Sequence, residues 1–217
     1  MNKINIFELK SKSEQEANEF FDKFIRKLPR NADQSFNKLA GGFDDNDVDA
    51  IRHAYTSGIF TQVYGDKIAL ILGEMNELTP MGGSSSNNTN SSKMDLWNNK
   101  VGIKYGKKTS GKLKLFKFLL KALKNNELIT DPENDPRISE IGNTTLKKDL
   151  EKVVVIKESK KGKNLSYFDI ENKIVLSKQE FVASIRDGKY PHYEIRIVDG
   201  DEIPVSKKDK DVPNNLG

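Results

Sequence analysis

Apolar residues recur at helical spacing through the first half of the chain. These stripes predict five helices, over residues 13–28, 47–64, 66–78, 93–105 and 112–124. Ser13 and Glu16 form a predicted capping box for the first helix. Asn46 or Asp47 caps the second helix, and Gly65 stops it. The N-terminal part is therefore predicted to be helical.

From about residue 152 the pattern changes to two-residue alternation. The stretches VVVIKES, SYFDIE and YEIRIV are rich in β-branched and aromatic residues, which predicts strands. Residues 177–187 predict a short helix before the last of these strands, and a further strand is expected near residues 202–205. We therefore predict an α+β chain, with a mainly α-helical domain over residues 1–150 and a small β-β-α-β module over residues 151–217.

One segment between the predicted helices has low complexity. Residues 82–92, GGSSSNNTNSS, contain no apolar side chain to bury, so they predict a mobile loop. The segment joins two parts of a polar cluster and so is a candidate lid. A tolerated insertion is the alternative that we favour.

Composition excludes several kinds of site. The chain has 217 residues, no cysteine and two histidines, so disulfides, thiolate chemistry and sites with several histidines from one chain are excluded. The longest apolar runs, such as residues 68–72, are far shorter than the ~20 residues that span a bilayer. No apolar segment typical of a Sec signal peptide follows the N-terminus. We expect a soluble protein made in the cytoplasm, for which export by a specialised secretion system would leave no readable mark.

Positive charge is concentrated in one segment. The net charge is +4, yet the lysines of residues 93–129 are opposed only by Asp95 and Glu127. Within this segment, residues 112–124 predict an amphipathic helix with two faces. Its apolar face is Leu113, Phe116, Leu119, Leu120 and Leu123, and its basic face includes Lys114, Lys117 and Lys121. Such a face suits an anionic partner (phospholipid, nucleic acid or cell-wall polymer), or is only a solvated surface.

Polar residues with chemical potential cluster on three successive predicted helices. The second helix carries Asp49, Arg52, His53 and Thr56 on one face, the third carries Glu74, Asn76 and Glu77, and the fourth carries Asp95, Asn98 and Asn99. If these stripes face inward, they must satisfy one another, because a buried unpaired charge is costly. The sequence thus predicts that three helix faces meet.

Several chemistries fit this meeting point. His53 can act as a general base oriented by a carboxylate, and Arg52 can bind a phosphate or a developing oxyanion. Alternatively, acids with His53 can hold a hard divalent cation, with Asn98 or Asn99 as neutral ligands. The candidate metal-binding acids are Asp49, Glu74, Glu77 and Asp95. A buried Arg–carboxylate pair without catalysis is a further alternative.

Three motifs here resemble a bacterial family of unknown function. They are DAIRHAY, GEMNE and MDLWNNKVG, and the similarity covers about residues 45–106. Members share an Arg-His-Ala helix, a Gly-x-x-(His/Asn)-Glu helix and a Met-Asp-x-x-Asn-Asn-x-x-Gly helix. They occur as free-standing proteins and at the C-terminal ends of polymorphic toxins and secretion-system effectors. The resemblance therefore implies a toxin-like effector, with an immunity protein or secretion-machinery component as its partner.

The resemblance also assigns positions. The family's polar residues fall on Arg52, His53, Asn76, Glu77, Asp95, Asn98 and Asn99, with Gly73 and Gly102 as packing glycines. Many relatives have His where this chain has Asn76, and Asn is a poor ligand for transition metals. Residues 150–217 resemble a second small bacterial module through LSKQEFVASIRDGKY and PNNLG, which implies an accessory or targeting role.

Together these features favour a hydrolase of an anionic substrate, with a phosphoester or lipid ester preferred. The expected catalytic residues are His53, Arg52, Glu77 and Asp95, and the expected substrate contacts are Asn76, Asn98, Asn99, Lys114, Lys117 and Lys121. One alternative is a non-enzymatic binding protein with a structural polar network. The other is a peptidoglycan hydrolase with Glu77 as its general acid.

Overall fold

The structure is a computed structural model that describes residues 6–78, 89–141, 153–159 and 162–207. The side chains of residues 75–78 and of residue 89 lie outside this description. Internal contacts divide the chain into two compact units, Phe7–Leu146, and Lys147–Gly217 together with Met1–Ile6. The predicted α+β class is confirmed, with helices concentrated in the first unit and strands in the second.

Within the described residues, five α-helices lie in the N-terminal part. They are α1 Ile6–Phe24, α2 Asp47–Tyr64, α3 Asp66–Leu78, α4 Thr89–Lys108 and α5 Lys112–Lys124, with short 3-10 turns at Lys38–Ala40 and Pro136–Ser139. The predicted bounds of α2, α3 and α5 are confirmed. Asn46 caps α2, and its side chain accepts hydrogen bonds from the backbone N–H groups of Val48 and Asp49. None of the described helices is long and apolar enough to cross a membrane.

The predicted start of α1 is wrong. The helix already includes Ile6, and the Ser13 hydroxyl donates to the carbonyl of Leu9 (2.7 Å) inside it. Ser13 and Glu16 therefore do not form a capping box, because an N-cap residue precedes the helix that it caps. The helix also ends at Phe24 instead of residue 28.

The prediction of a loop over residues 82–92 is partly wrong. Residues 89–92 form the first turn of α4, so polar Asn and Ser residues are helical there. Residues 82–88 lie outside the described part of the chain. The choice between a lid and an insertion stays a prediction.

Helix α2 is the centre of the first unit and packs against α3, α4 and α5. Its contact with α4 is unusually close: a Cβ atom on Gly102 would lie 2.0 Å from the carbonyl oxygen of Ala54, and one on Gly106 would lie 2.6 Å from that of Gly58. Only glycine permits such backbone approach. Residue numbers at these contacts increase along both helices, from Ala54 and Gly102 to Gly58 and Gly106. Helices α2 and α4 are therefore parallel, and their polar faces lie opposite each other.

Helix α5 also packs on α2, with an apolar face that differs from the predicted one. Its buried residues are Leu115, Phe116, Leu119 and Ala122. Leu113, which the sequence predicts on the apolar face, is 43% exposed. The aromatic rings of Phe20 and Tyr55 pack on Phe116, with centroids 5.0 and 6.3 Å away from it.

Among its described residues, the second unit contains two small antiparallel sheets and one helix. Its elements are β1 Val153–Glu158, β2 Asn164–Asp169, β3 Ile174–Ser177, α6 Lys178–Arg186, β4 Tyr193–Val198 and β5 Asp201–Ser206. The first sheet has the order β1-β2-β3, and β4 pairs with β5. The predicted β-β-α-β order lacked β3, whereas the helix and the strand expected near residues 202–205 are confirmed. Ser177 and Glu180 form a capping box for α6.

Candidate functional site

Helices α2 and α4 bring one histidine and two aspartates together. The candidate ligand atoms of Asp49, His53 and Asp95 all lie within 4.8 Å of one another. His53 Nε2 is 3.4 Å from Oδ1 of Asp49 and 3.4 Å from Oδ1 of Asp95. Asp49 and His53 share a face because they are one turn apart on α2, and Asp95 faces them from the first part of α4. The geometry thus brings together three of the residues that the sequence marked.

This cluster is largely buried but not closed. The side chains of Asp49, His53 and Asp95 are 5%, 15% and 12% exposed. Thr56, on the same face of α2, buries a hydroxyl oxygen that has no hydrogen-bond partner among the described residues. The imidazole therefore keeps a small solvent-exposed fraction, while most of the surrounding water is excluded.

The turn before α2 fixes the Asp49 carboxylate. Its Oδ2 accepts a hydrogen bond from the backbone N–H of Asp45 (2.8 Å), and its Oδ1 accepts one from Arg52. Asp45 has a positive φ of 53°, and its own carboxylate accepts a hydrogen bond from Ser91 on α4. Burial raises the pKa of Asp49 above its ordinary value, and the positive charge of Arg52 opposes this rise.

Arg52 is committed to positioning. Besides Asp49, its guanidinium donates to the carbonyl of Phe43 (2.7 Å) and to Asp44 (3.3 Å). Burial lowers the pKa of Arg52, but the nearby carboxylates, Asp49 first, outweigh this and leave its pKa raised, so the group stays charged. These contacts bind the turn at residues 43–45 to α2. They support a role for Arg52 in positioning the Asp49 carboxylate more directly than a role in binding phosphate.

His53 is held neutral. Burial is the largest cause, and the charge of Arg52 adds to it, so the pKa falls from 6.5 to about 3. The imidazole also hydrogen-bonds with Asn99, whose Oδ1 accepts from the Ser57 hydroxyl (2.7 Å). The hydrogen bonds from Ser57 to Asn99 and between Asn99 and His53 therefore connect the imidazole ring to both α2 and α4.

Helix α1 adds a residue that the sequence reasoning missed. Glu14 raises the pKa of His53 and of Asp49, and its carboxylate lies 2.7 Å from the ammonium group of Lys10. Its place on the inward face of α1 is a signal in retrospect, because Ala17, Asn18 and Phe21 on that face are buried. Glu14 thus adds negative charge to the edge of the cluster.

The donor set fits a divalent cation. A tetrahedral ion with bonds of about 2.1 Å places its ligand atoms about 3.4 Å apart, the separation seen here between His53 Nε2 and each aspartate oxygen. A neutral imidazole offers a lone pair, and hydrogen-bonded partners commonly orient such a ligand. The buried Asp–His–Asp group can therefore hold a metal ion.

The two adjacent asparagines of α4 have different surroundings. The Nδ2 group of Asn98 donates to the carbonyl of Ile129 (2.9 Å), and its Oδ1 accepts from the N–H of Ile129 (3.0 Å). Asn98 therefore fixes the backbone of the segment after α5. The geometry does not support the predicted role of Asn98 as a substrate contact. Asn99 is the asparagine that reaches His53.

The structure describes only some of the remaining predicted residues. Glu74 is half-buried on α3, where burial raises its pKa and Lys100 opposes the rise. The side chains of Asn76 and Glu77 lie outside the described part of the chain. Lys114, Lys117 and Lys121 lie on the exposed face of α5. The packing glycines are confirmed, since a Cβ on Gly73 would lie 3.0 Å from Asn99 Nδ2, besides the Gly102 contact.

These features define the molecule as an α-helical domain with a buried Asp–His–Asp centre between two parallel helices, followed by a small β-rich unit. The chain belongs to the family described as Domain of unknown function (DUF6973), which matches residues 7–127. The expected membership of an uncharacterised family is confirmed. The match is longer than residues 45–106 and includes α1 and α5. Comparison with curated proteins and with solved structures gave no match.

Proposed function

We propose that Asp49, His53 and Asp95 bind a divalent cation and that the domain is a metal-dependent hydrolase of an anionic substrate. The observation that carries this proposal is the convergence of three ligand atoms within 4.8 Å of one another around a neutral imidazole. Two carboxylates that face one buried nitrogen repel each other, and a cation between them removes that cost.

The pKa of His53 favours a ligand over a general base. A general base works best when its pKa lies near the operating pH. A pKa of about 3 makes this imidazole a poor proton acceptor at neutral pH, while its lone pair stays available. We therefore revise the expected role of His53 from proton transfer to metal binding.

The remaining residues supply positioning and charge. A bound divalent cation polarises a phosphoryl or ester oxygen and lowers the pKa of a water molecule. Arg52 holds Asp49 in place, and Asn99 holds His53. Glu77 stays our candidate for proton transfer, because its helix passes beside Asn99 at Gly73. A phosphoester is the preferred substrate class, because anionic oxygen is what such a cation recognises.

Metal titration of the full chain tests the site directly. After chelation and dialysis, isothermal titration with Mn²⁺ and Zn²⁺ is expected to show one site per chain. Asp95→Asn and His53→Gln should abolish binding, and Asn99→Ala should weaken it about 10- to 100-fold because it removes a partner of the ligand. Asn98→Ala is the matched control: it should lower thermal stability but keep the metal affinity. A folded protein that binds neither ion, or binds them equally well after Asp95→Asn, would refute the proposal.

Hydrolysis is tested separately on bis(p-nitrophenyl) phosphate and on p-nitrophenyl esters with the metal present. We expect turnover of the phosphodiester that is lost in Asp95→Asn. If the protein binds metal but turns over neither substrate, the proposed metal site stands and the proposed hydrolase activity is refuted.

A structural clasp is the second candidate, and the contacts of Arg52 favour it. This side chain and Asp49 tie the turn at residues 43–45 to α2 without any ligand. If the cluster is only a clasp, Asp95→Asn and His53→Gln should lower the melting temperature by the same amount with and without added metal.

A further inference from the structure

One face of α5 carries four exposed lysines. Lys114, Lys117, Lys121 and Lys124 are spaced by three and four residues, so they line one side of the helix over about 15 Å. The opposite side of α5 is buried against the core. The lysines are therefore presented outward on a rigid element.

The positive charge of this face is not neutralised locally. Neighbouring lysines are ion-paired: Lys104 with Glu127 (2.8 Å), Lys107 with Asp66 (2.5 Å) and Lys112 with Glu16. By contrast, none of the four lysines on the α5 face has an acidic partner within the ranges that the structure describes. Ion-paired lysines would make the helix surface equally soluble. The row of four lysines without acidic partners therefore points to binding of an external anion.

Exposed apolar side chains lie beside the lysines. Leu113, at the start of α5, is 43% exposed, and Phe24 and Ile25, at the end of α1, are 46% and 37% exposed. The ring of Phe24 lies 6.0 Å from that of Phe116 on α5, which puts the end of α1 next to the basic helix. The Nζ atom of Lys23 lies 5.4 Å from the centre of the Phe24 ring. The surface therefore combines cationic and apolar groups.

We propose that this α1–α5 surface docks on an anionic lipid bilayer. Lysine ammonium groups are attracted to a negative lipid surface without specific geometry, and apolar side chains among them can enter the headgroup region. Recognition of nucleic acid favours arginine, which pairs with phosphate and bases through two parallel hydrogen bonds, and α5 contains no arginine. The inference goes beyond the proposed hydrolase and does not depend on the metal site.

The test is sedimentation of the full chain with lipid vesicles in the presence of a chelator. Vesicles of phosphatidylcholine with about 30 mol% phosphatidylglycerol should bind the protein, and vesicles of phosphatidylcholine alone should not. Changing Lys114, Lys117, Lys121 and Lys124 to Gln should reduce the partition coefficient about fivefold per lysine. Leu113→Ser should reduce it about fivefold and leave its salt dependence unchanged, because only apolar contact is lost.

A charge-matched variant is the control. Lys12, Lys104, Lys107 and Lys163 are also exposed but are ion-paired, and their change to Gln removes the same charge elsewhere. This control should keep its vesicle binding, with circular dichroism confirming that both variants are folded. Equal binding to the two kinds of vesicle, or equal losses in the two variants, would overturn the proposal. So would tighter binding to a DNA duplex than to the anionic vesicles, with no effect of Leu113→Ser on vesicle binding.

Discussion

At the scale of single residues, the direction in which a side chain points from its helix determines which groups it contacts. Asn98 and Asn99 are adjacent, yet they point about 100° apart around α4. Asn98 therefore holds the backbone of Ile129, while Asn99 reaches His53 and Ser57. The same rule separates Arg52, which binds the preceding turn, from His53, which faces α4.

The low pKa of His53 predicts a specific dependence of stability on pH. The folded-state pKa is about 3 and the ordinary value is 6.5, so the unfolded chain takes up the proton first as the pH falls. The free energy of unfolding should have its full His53 contribution above pH 6.5. Between the two pKa values it should decrease by about 1.4 kcal/mol per pH unit. Urea unfolding over this range, with a chelator present, measures the slope.

The matched variant is His53→Gln, which keeps a neutral side chain of similar size. Its stability should depend less steeply on pH than that of the wild type. The raised pKa of Asp49 acts in the opposite direction, since the folded state then binds a proton more readily than the unfolded chain. Because both proteins contain Asp49, as well as Asp95, Glu14 and Lys10, the difference between their slopes isolates His53. Identical slopes would show that His53 is not held neutral.

The sequence predicted which residues meet better than it predicted what each does. Helical spacing correctly placed Asp49 and His53 on one face, but the partner of each side chain depends on packing between helices. The low pKa of His53 arises from burial beside Arg52, which no spacing shows. Glu14 was missed for the same reason. It lies on α1, and only the packing of the helices brings α1 close to the cluster.

At the scale of helices, the site depends on the close contact between α2 and α4. Gly102→Ala places a methyl group 2.0 Å from the carbonyl oxygen of Ala54, so the helices must separate. We expect a loss of about 3 kcal/mol or more in the free energy of unfolding, because a backbone atom cannot move aside alone. Thermal and urea unfolding measure this loss.

Gly58→Ala is the comparison within the same helix pair. Its new methyl group would first meet the Leu115 side chain, at 2.7 Å, and would lie 3.1 Å from the carbonyl oxygen of Gly102, a much longer backbone distance than at Gly102→Ala. Alanine also favours the helix. This variant should therefore lose less stability than Gly102→Ala. The reverse order would mean that the backbone contact does not control the packing of α2 on α4.

Helices and strands were predictable where local signals were strong. Asn46 and Gly65 defined α2, and Ser177 defined the start of α6. The start of α1 was wrong because Ser13 lies in mid-helix, where its hydroxyl bonds to Leu9. Strand β3 was missed because its four residues run directly into α6 and show too little alternation.

At the scale of the whole molecule, the family match and the division into units place the Asp–His–Asp cluster in the N-terminal unit. The match over residues 7–127 contains α1 to α5, so the basic helix belongs to the same domain as the Asp–His–Asp centre. The sequence assigned both to one predicted domain over residues 1–150, but charge patterning alone does not show that Phe116 and Leu115 pack on α2. The position of α5 within the domain explains why its outer face is free to be basic.

A fragment of residues 1–146 should fold alone and keep the proposed metal site. It contains the unit Phe7–Leu146 and the residues before it, which keeps α1 whole. Its size is typical of an independent domain, and its core residues Phe21, Ile51, Tyr55 and Phe116 all lie within it. We expect cooperative thermal unfolding and the same affinity for Mn²⁺ or Zn²⁺ as the full chain. Asp95→Asn in the fragment is the control for the metal signal. A fragment that stays unfolded, or that folds but no longer binds the ion bound by the full chain, would show that residues 147–217 are required to build the centre.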